Sequence, residues 1–240
     1  MTNAQLFIEE FNKLEAYFRK RENADNWVGF AELLARQSKS SAVVNNYKKE
    51  LRDLGDLRNA IVHQSRNYDD PIAEPHSETI THLQEIYTHI TKPQTARDIA
   101  STAVYTATAN DDLGDVLKKM GQEGFTQTPI LNEGGTVESV LSEHALLVCM
   151  AHVYDKGDFI LEAAKVGDIA RYLDAPTGQD TNTIYLFISS NRPALEVKDL
   201  YSKSMDGDKR LMCVFVTKNG KVTEKLEGMI TPWDLSRITS

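Results

Sequence analysis

The 240-residue sequence predicts an α+β protein in two parts. An all-α helical bundle over residues 1–92 precedes a duplicated module of small mixed sheets with flanking helices over residues 93–240. Three observations carry this prediction. The first ninety positions read as helix almost throughout, from apolar residues at three- and four-residue spacing. Lys92-Pro93-Gln94 then forms a hinge, because a proline pushes the residue before it out of helical geometry. Beyond the hinge the same succession of apolar strands and capped helices occurs twice, dividing the module into residues 94–160 and 161–240.

In the helical part, Phe7, Phe11, Leu14 and Phe18 make one apolar stripe. A second short helix is predicted from about Trp27 to Arg36. A third begins after the capping run Ser38-Lys39-Ser40-Ser41 and carries Val44, Tyr47, Leu51, Leu54 and Leu57 toward Ile61 and His63. The fourth follows Pro75, with Ser77 as its cap, and presents Ile80, Leu83, Tyr87 and Ile90. Four helices of this kind pack as a bundle.

The duplication is traced through three landmarks. Ala96-Arg97-Asp98-Ile99-Ala100 returns as Val166-Gly167-Asp168-Ile169-Ala170, an offset of 70; Leu113-Gly114-Asp115-Val116 returns around Asp199, at 84; Ser142 returns as Thr231, at 89. The growing offset places one insertion near Leu173 to Thr181, where Pro176 and Gly178 signal a loop, and another in the hairpin around Lys218-Asn219-Gly220-Lys221.

Gly228-Met229-Ile230-Thr231-Pro232-Trp233-Asp234-Leu235 reads as an apolar strand running straight into a helix, and Val140-Leu141-Ser142-Glu143-His144-Ala145-Leu146 is its first copy. A hydroxyl at the N-cap, a proline at the first helical position and a carboxylate at the third build a polar corner with backbone amides pointing outward. A carboxylate accepts two hydrogen bonds at once and so grips a cis-diol, while a threonine hydroxyl with helix amides receives phosphate oxygens. That chemistry suits a phosphorylated ribose. The same four residues also make an ordinary capping box, which stabilises a helix and binds nothing; both readings stand at this level.

This element order, occurring twice in about 145 residues, resembles a pair of CBS domains (the cystathionine beta-synthase type) over residues 94 to 238. The resemblance implies two sheet-and-helix repeats around clefts for an adenosyl regulatory ligand: AMP, ADP, ATP or S-adenosylmethionine. It carries over to Thr231 and Asp234, with Ile184 and Tyr185, after Thr183, and Met229 and Ile230 beside them as the apolar bed for adenine. In the first repeat Ser142 matches, but Ala145 stands in the acid position, so one nucleotide site is expected and not two. Some CBS pairs serve as dimerisation scaffolds without a ligand.

Leu57-Arg58-Asn59-Ala60-Ile61-Val62-His63 resembles the Arg-x4-His signature of HEPN (higher eukaryotes and prokaryotes nucleotide-binding) helical domains, over roughly residues 3 to 92. That likeness implies a metal-independent ribonuclease acting as a homodimer, with Arg58 and His63 catalytic and Asn59 as a polar helper. Arg58 and His63, five apart, diverge by about 140° on a regular helix, so they converge on one phosphate only if the third helix packs against its twin or loosens near His63. Histidine's ordinary pKa of about 6.5 suits a proton shuttle, and arginine suits charge on phosphorus. Some HEPN proteins add a tyrosine two residues past the histidine; here Ser65 stands there.

Composition bounds the remaining choices. With 41% hydrophobic and 26% charged residues the chain suits two globular units. No apolar run reaches a membrane span and no basic-then-apolar leader opens the sequence, so a cytoplasmic protein is expected. Cys149 and Cys213 fit reduced core residues, and no His or Cys spacing suggests a metal. Net charge is −8, with 12 Lys and Arg against 14 Asp and Glu before residue 93. That argues against strong general affinity for nucleic acid and leaves RNA as a partner only at a built site. The expectation is an adenine-nucleotide sensor that controls the helical domain, or alternatively a non-catalytic sensor or dimerisation scaffold that regulates a partner protein.

Overall fold

The structure, a computed structural model of the chain, describes residues 1–64, 71–156, 163–176, 183–205 and 210–238. The side chains of His63, Gln64, Asp155, Lys156, Thr183, Ile184 and Met205 lie outside that description. The chain divides into two compact units, Met1–Gln94 and Thr95–Ser240.

In the first unit, α1 (Asn3–Glu22) starts at a reciprocal capping box in which the Thr2 hydroxyl accepts the Gln5 N–H and the Gln5 side chain accepts the Thr2 N–H. Its stripe of Phe7, Phe11, Leu14 and Phe18 is fully buried. The second helix, α2 (Phe30–Ser40), begins later than Trp27 and runs past Arg36. Trp27 stays outside, its indole N–H on Asp25, while Gln37 turns inward to bond Glu22 and draws the helix onward.

The predicted third helix is two helices. Ser41 caps α3 (Ala42–Asn46), the chain breaks at Tyr47, and α4 (Lys48–Gln64) continues. Tyr47 leaves the regular helix to stack on His89 and hydrogen-bond its Nδ1 at 2.6 Å. On α5 (Ser77–Thr91) the buried stripe is Ile80, Leu83, Ile86 and Ile90. Ile86 takes the inner place the sequence assigned to Tyr87, whose ring is only half-buried and meets Tyr17 edge-on. A tyrosine keeps its hydroxyl wet unless a partner waits inside.

The second unit strings α6 (Ala96–Ile99), α7 (Leu113–Glu123), β1 (Gln127–Leu131), β2 (Val137–Ser142) and α8 (Glu143–Lys156) ahead of a 3-10 helix at Val166–Tyr172. Then come β3 (Thr183–Ser189), α9 (Ala194–Met205), β4 (Arg210–Thr217), β5 (Gly228–Ile230) and a closing 3-10 helix at Pro232–Arg237. β1 and β2 pair antiparallel. β3 runs parallel to β4, and β4 antiparallel to β5.

The two repeats exchange their leading helices. Ala96 and Ile99 of α6 pack into the second sheet's core with Ile188, Val197, Val214 and Ile230. Val166 and Ile169 of the first 3-10 helix pack into the first sheet's core with Leu113, Val116, Ile130 and Leu141. Burying a residue such as Ile99 contributes about 1.5–3 kcal/mol, so neither sheet is complete without the other repeat. Between the sheets lie Val137, Val140, Tyr185, Cys213 and Phe215.

Candidate functional site

β5 delivers Thr231 to a fixed place through two contacts. Gly228 lets the strand close on residue 101, since a Cβ there would lie 3.0 Å from the Ala100 Cβ and 3.1 Å from the Ser101 carbonyl. Ser101 and Met229 then exchange both backbone hydrogen bonds. One residue on, the Tyr201 hydroxyl donates to the Ile230 carbonyl at 2.6 Å. Burial pushes the Tyr201 phenol well above the ordinary tyrosine value, so it remains a donor.

Asp234 is buried and fully engaged. Its Oδ2 accepts both the backbone N–H and the hydroxyl of Thr231, each at 2.8 Å. Its Oδ1 accepts the Ser101 hydroxyl at 3.0 Å and lies 3.1 Å from Nη1 of Arg237. A carboxylate offers about four acceptor positions, and here three hydrogen bonds and one ion pair engage them. A ligand diol therefore reaches Asp234 only by displacing Ser101 or the half-exposed Arg237, a condition that sequence reasoning missed.

Beside this corner is a cavity of about 310 Å³. Ser101, Ala103, Val104 and Tyr105 form one wall, Gly124 to Gln127 another, and Met229, Thr231, Trp233 and Asp234 the third. Tyr105 and Phe125 stack at 5.8 Å, and Trp233 stands 87% exposed. Gln127 is buried, and its Oε1 has no hydrogen-bond partner among the described residues. A buried acceptor left open costs about 1–3 kcal/mol unless something donates to it. The lining holds one carboxylate and no cation.

Of the residues singled out in the sequence, the structure brings Thr231, Asp234 and Met229 to this cavity and leaves others elsewhere. Ile230 points into the core, as the two-residue alternation along β5 requires once Met229 faces out. Thr183 and Ile184 begin β3, and their side chains fall outside the described set. Ser142 and Tyr185 do not line the cavity: they meet each other's partner in a second, closed corner.

That corner is built around Asp174, which sequence reasoning did not single out. The Ser142 hydroxyl and the Tyr185 phenol both donate to its Oδ2, at 2.6 and 2.9 Å, and the Ala145 N–H donates to Ser142 Oγ at 3.0 Å. All three side chains are buried. Burial, with the Asp174 charge beside it, drives the Tyr185 phenol far above its ordinary value and keeps it protonated as a donor.

Strand register makes the two corners equivalent. Val140 bridges Asp174 as Met229 bridges Ser101, so the acid missing at Ala145 is supplied from the bridging segment. Pro129 opposite Val140 matches Phe215 opposite Met229; Ala107 beside Ile130 then matches Ile188 beside Val216. Counting back three residues from each sets Val104 against Tyr185. The open corner has a valine where the closed one has a phenol.

The same Thr-x-x-Asp bonding is found at Thr95–Asp98, where the Thr95 N–H and hydroxyl both donate to Asp98 Oδ2 at 2.7 Å. Those bonds hold the Asp98 carboxyl below its ordinary value. That box is a helix cap. The Thr231 corner shares its bonding and differs in having the cavity.

In the helical unit, Arg58 and Asn59 lie on α4, and Arg58 Nη1 donates to Asn59 Oδ1 at 3.2 Å. His63 is on the last turn of the same helix, and its side chain falls outside the described set. Cys149 and Cys213 are buried and unpaired, and burial raises both thiols above the ordinary value. Among the described residues no helix is long and apolar enough to cross a membrane, and no group of three His, Cys, Asp or Glu side chains is placed to hold a metal.

Comparison with known proteins follows the second unit. The CBS domain model matches residues 96–152. No curated protein sequence matches the chain. Similar solved structures include CBSX2 in complex with AMP, 15% identical over 60% of this chain and 93% of that one, with a TM-score of 0.43. The CBS domain pair of MJ0100, in complex with 5′-methylthioadenosine and S-adenosyl-L-methionine, is 16% identical over 60% and 94%, at 0.40. The CBS domain of a CBS-domain-containing membrane protein from Sphaerobacter thermophilus is 14% identical over 67% and 96%, at 0.43. The match to the CBS domain model spans α6 through most of α8, in the unit that follows the all-helical one.

Proposed function

We propose that the chain is a regulatory protein whose C-terminal unit binds one adenosyl ligand in the cavity at Thr231 and Asp234, and whose helical unit responds. The observation that carries this reading is that cavity: about 310 Å³, within the range of small-molecule sites, with the exposed ring of Trp233 and the stacked Tyr105 and Phe125 at its walls. Adenine offers a flat face to the indole. A ribose diol replaces Ser101 and Arg237 on Asp234, so occupancy releases the Arg237 guanidinium, which also donates to the Ile99 carbonyl at the end of α6. α6 follows the Lys92-Pro93 junction in the chain, and this is the route by which ligand reaches the helical unit.

The lining carries no cation, so the favoured ligands have few phosphates: AMP or S-adenosylmethionine ahead of ATP. Calorimetry with these three compounds tests the site. Val104→Tyr, which copies the closed corner, is expected to weaken binding by about tenfold or more while leaving the fold intact. Undiminished binding to that variant removes the cavity from the proposal.

The homodimer belongs to the same reading. On α8, Leu147, Met150 and Tyr154 are exposed along one face, Tyr154 at 88%, an apolar surface that a second copy covers. In the helical unit we assign Arg58, Asn59 and His63 to metal-independent RNA cleavage across such a dimer. His63→Ala then abolishes cleavage by metal-free protein and leaves nucleotide binding unchanged; cleavage that survives assigns the helical unit to the non-catalytic role of docking a partner protein. The bond from Arg58 to its own neighbour Asn59 favours that second role within a single chain.

A further inference from the structure

A second cavity, of about 360 Å³, opens in the helical unit where α1, α2 and α4 meet. Its inner wall is apolar. Phe11 and Phe30 pack there with ring centroids 4.5 Å apart, beside Leu34. Its rim is cationic, with Lys48, Arg52 and Arg58 all contributed by α4. Lys48 and Arg52, four apart, share one helix face.

These cations are uncommitted. The ion pairs of this unit among the described residues join Lys13, Arg19, Arg36 and His82 to carboxylates, and none involves Lys48, Arg52 or Arg58. Arg58 spends one N–H on Asn59, while its Nε is buried with no partner among the described residues. Two carboxylates also line the space. Glu15 is already paired with Arg19 at 2.6 Å, which leaves Asp56 against three positive charges. The α2 N-terminus adds to the same field: Gly29 begins the helix with no side-chain cap, and Phe30 and Ala31 of its first turn line the cavity. Three unpaired cations gathered around an aromatic wall, in a unit whose formal charge is negative, are what an anionic guest requires and what a folding role does not.

We propose that this cavity binds a small organic anion, its flat apolar body against Phe30 and its phosphate or carboxylate held by Lys48, Arg52 and Arg58. The site is complete within one chain, does not call on His63, and is independent of the adenosyl cavity.

Phenyl phosphate is the probe, titrated calorimetrically into the full chain, with inorganic phosphate and benzyl alcohol as separate arms. Phenyl phosphate is expected to bind about tenfold or more tightly than either, because only it engages both the wall and the rim. Its affinity falls as salt rises. The double substitution Lys48→Glu with Arg52→Glu is expected to weaken it by about tenfold or more, and Asp56→Asn to strengthen it severalfold. Helix content and the thermal unfolding transition by circular dichroism report that each variant is folded. Phenyl phosphate binding that ignores the charge reversal, ignores salt and is matched by benzyl alcohol overturns the proposal. Should the double variant not fold, the Asp56→Asn and salt arms on folded protein decide it.

Discussion

The two strand-to-helix corners of the C-terminal unit start from one plan and end in opposite states. At Ser142 the acid comes from Asp174 on the bridging segment, two hydroxyls converge on one of its oxygens, and the Tyr185 ring fills the space. At Thr231 the acid comes from Asp234 on the closing helix, and Val104 stands where the phenol would be, beside a cavity of about 310 Å³. A carboxylate and a hydroxyl are present in both. What separates the packed corner from the open one is the residue three positions before the parallel bridge: the acid is bonded within the protein in both, and a large amphipathic side chain fills the space beside it where a small apolar one leaves a cavity.

The largest test of that contrast is Tyr185→Val, which gives the closed corner the open corner's residue. It removes a buried ring and the phenol donor of Asp174, and a loss of about 3 kcal/mol or more is expected in urea unfolding. A loss below about 1 kcal/mol would mean that the ring is not the corner's filling. Next comes Tyr201→Phe, which strips the Ile230 carbonyl of its partner just before Thr231. About 1–3 kcal/mol of stability should go. Adenosyl affinity should fall with it, since the threonine is no longer held; stability lost with affinity intact would restrict Tyr201 to a structural part.

Thr231→Val and Thr95→Val make a matched pair, because each deletes a hydroxyl that donates to the acid three residues on. Both should cost about 0.5–2 kcal/mol in thermal or chemical denaturation. Only the first should change ligand binding, and an equal effect of both on calorimetric affinity would dissolve the distinction between cap and site.

The smallest effect lies in the hairpin ahead of β5. The side-chain amide and then the backbone N–H of Asn219 donate to Glu224 and lower its pKa from 4.5 to about 2. Because the folded value is depressed, the contribution is present above pH 4.5 and is lost as pH falls from there toward about 2. Carbon-13 titration should find the Glu224 carboxyl midpoint well below those of other glutamates, and Asn219→Ala should return it to the common range.

Much of this was readable from the chain. The stripe on α1 and the box at Thr231–Asp234 follow from spacing alone, because helix periodicity and a three-residue cap are local facts. Ile230 was also readable, since alternation along a strand that exposes Met229 must bury its neighbour. The break at Tyr47 was not: it depends on His89, forty-two positions away. Asp174 escaped notice for a similar reason. It lies 32 residues from Ser142, and only the antiparallel bridge to Val140 brings it there. The exchange of leading helices likewise has no local signature, because Ala96 and Val166 read as the start of their own repeats while packing into the other.

The amino-acid order determined the elements, the duplication and the residue types at each corner, since these depend on neighbours within a few positions along the chain. Tertiary structure alone decided which corner is sealed and which is open, and that Asp234 is already bonded to Thr231 and Ser101 and paired with Arg237. Those outcomes turn on volumes and donors supplied by segments distant in sequence, and no spacing rule encodes whether a valine or a tyrosine will arrive opposite the acid.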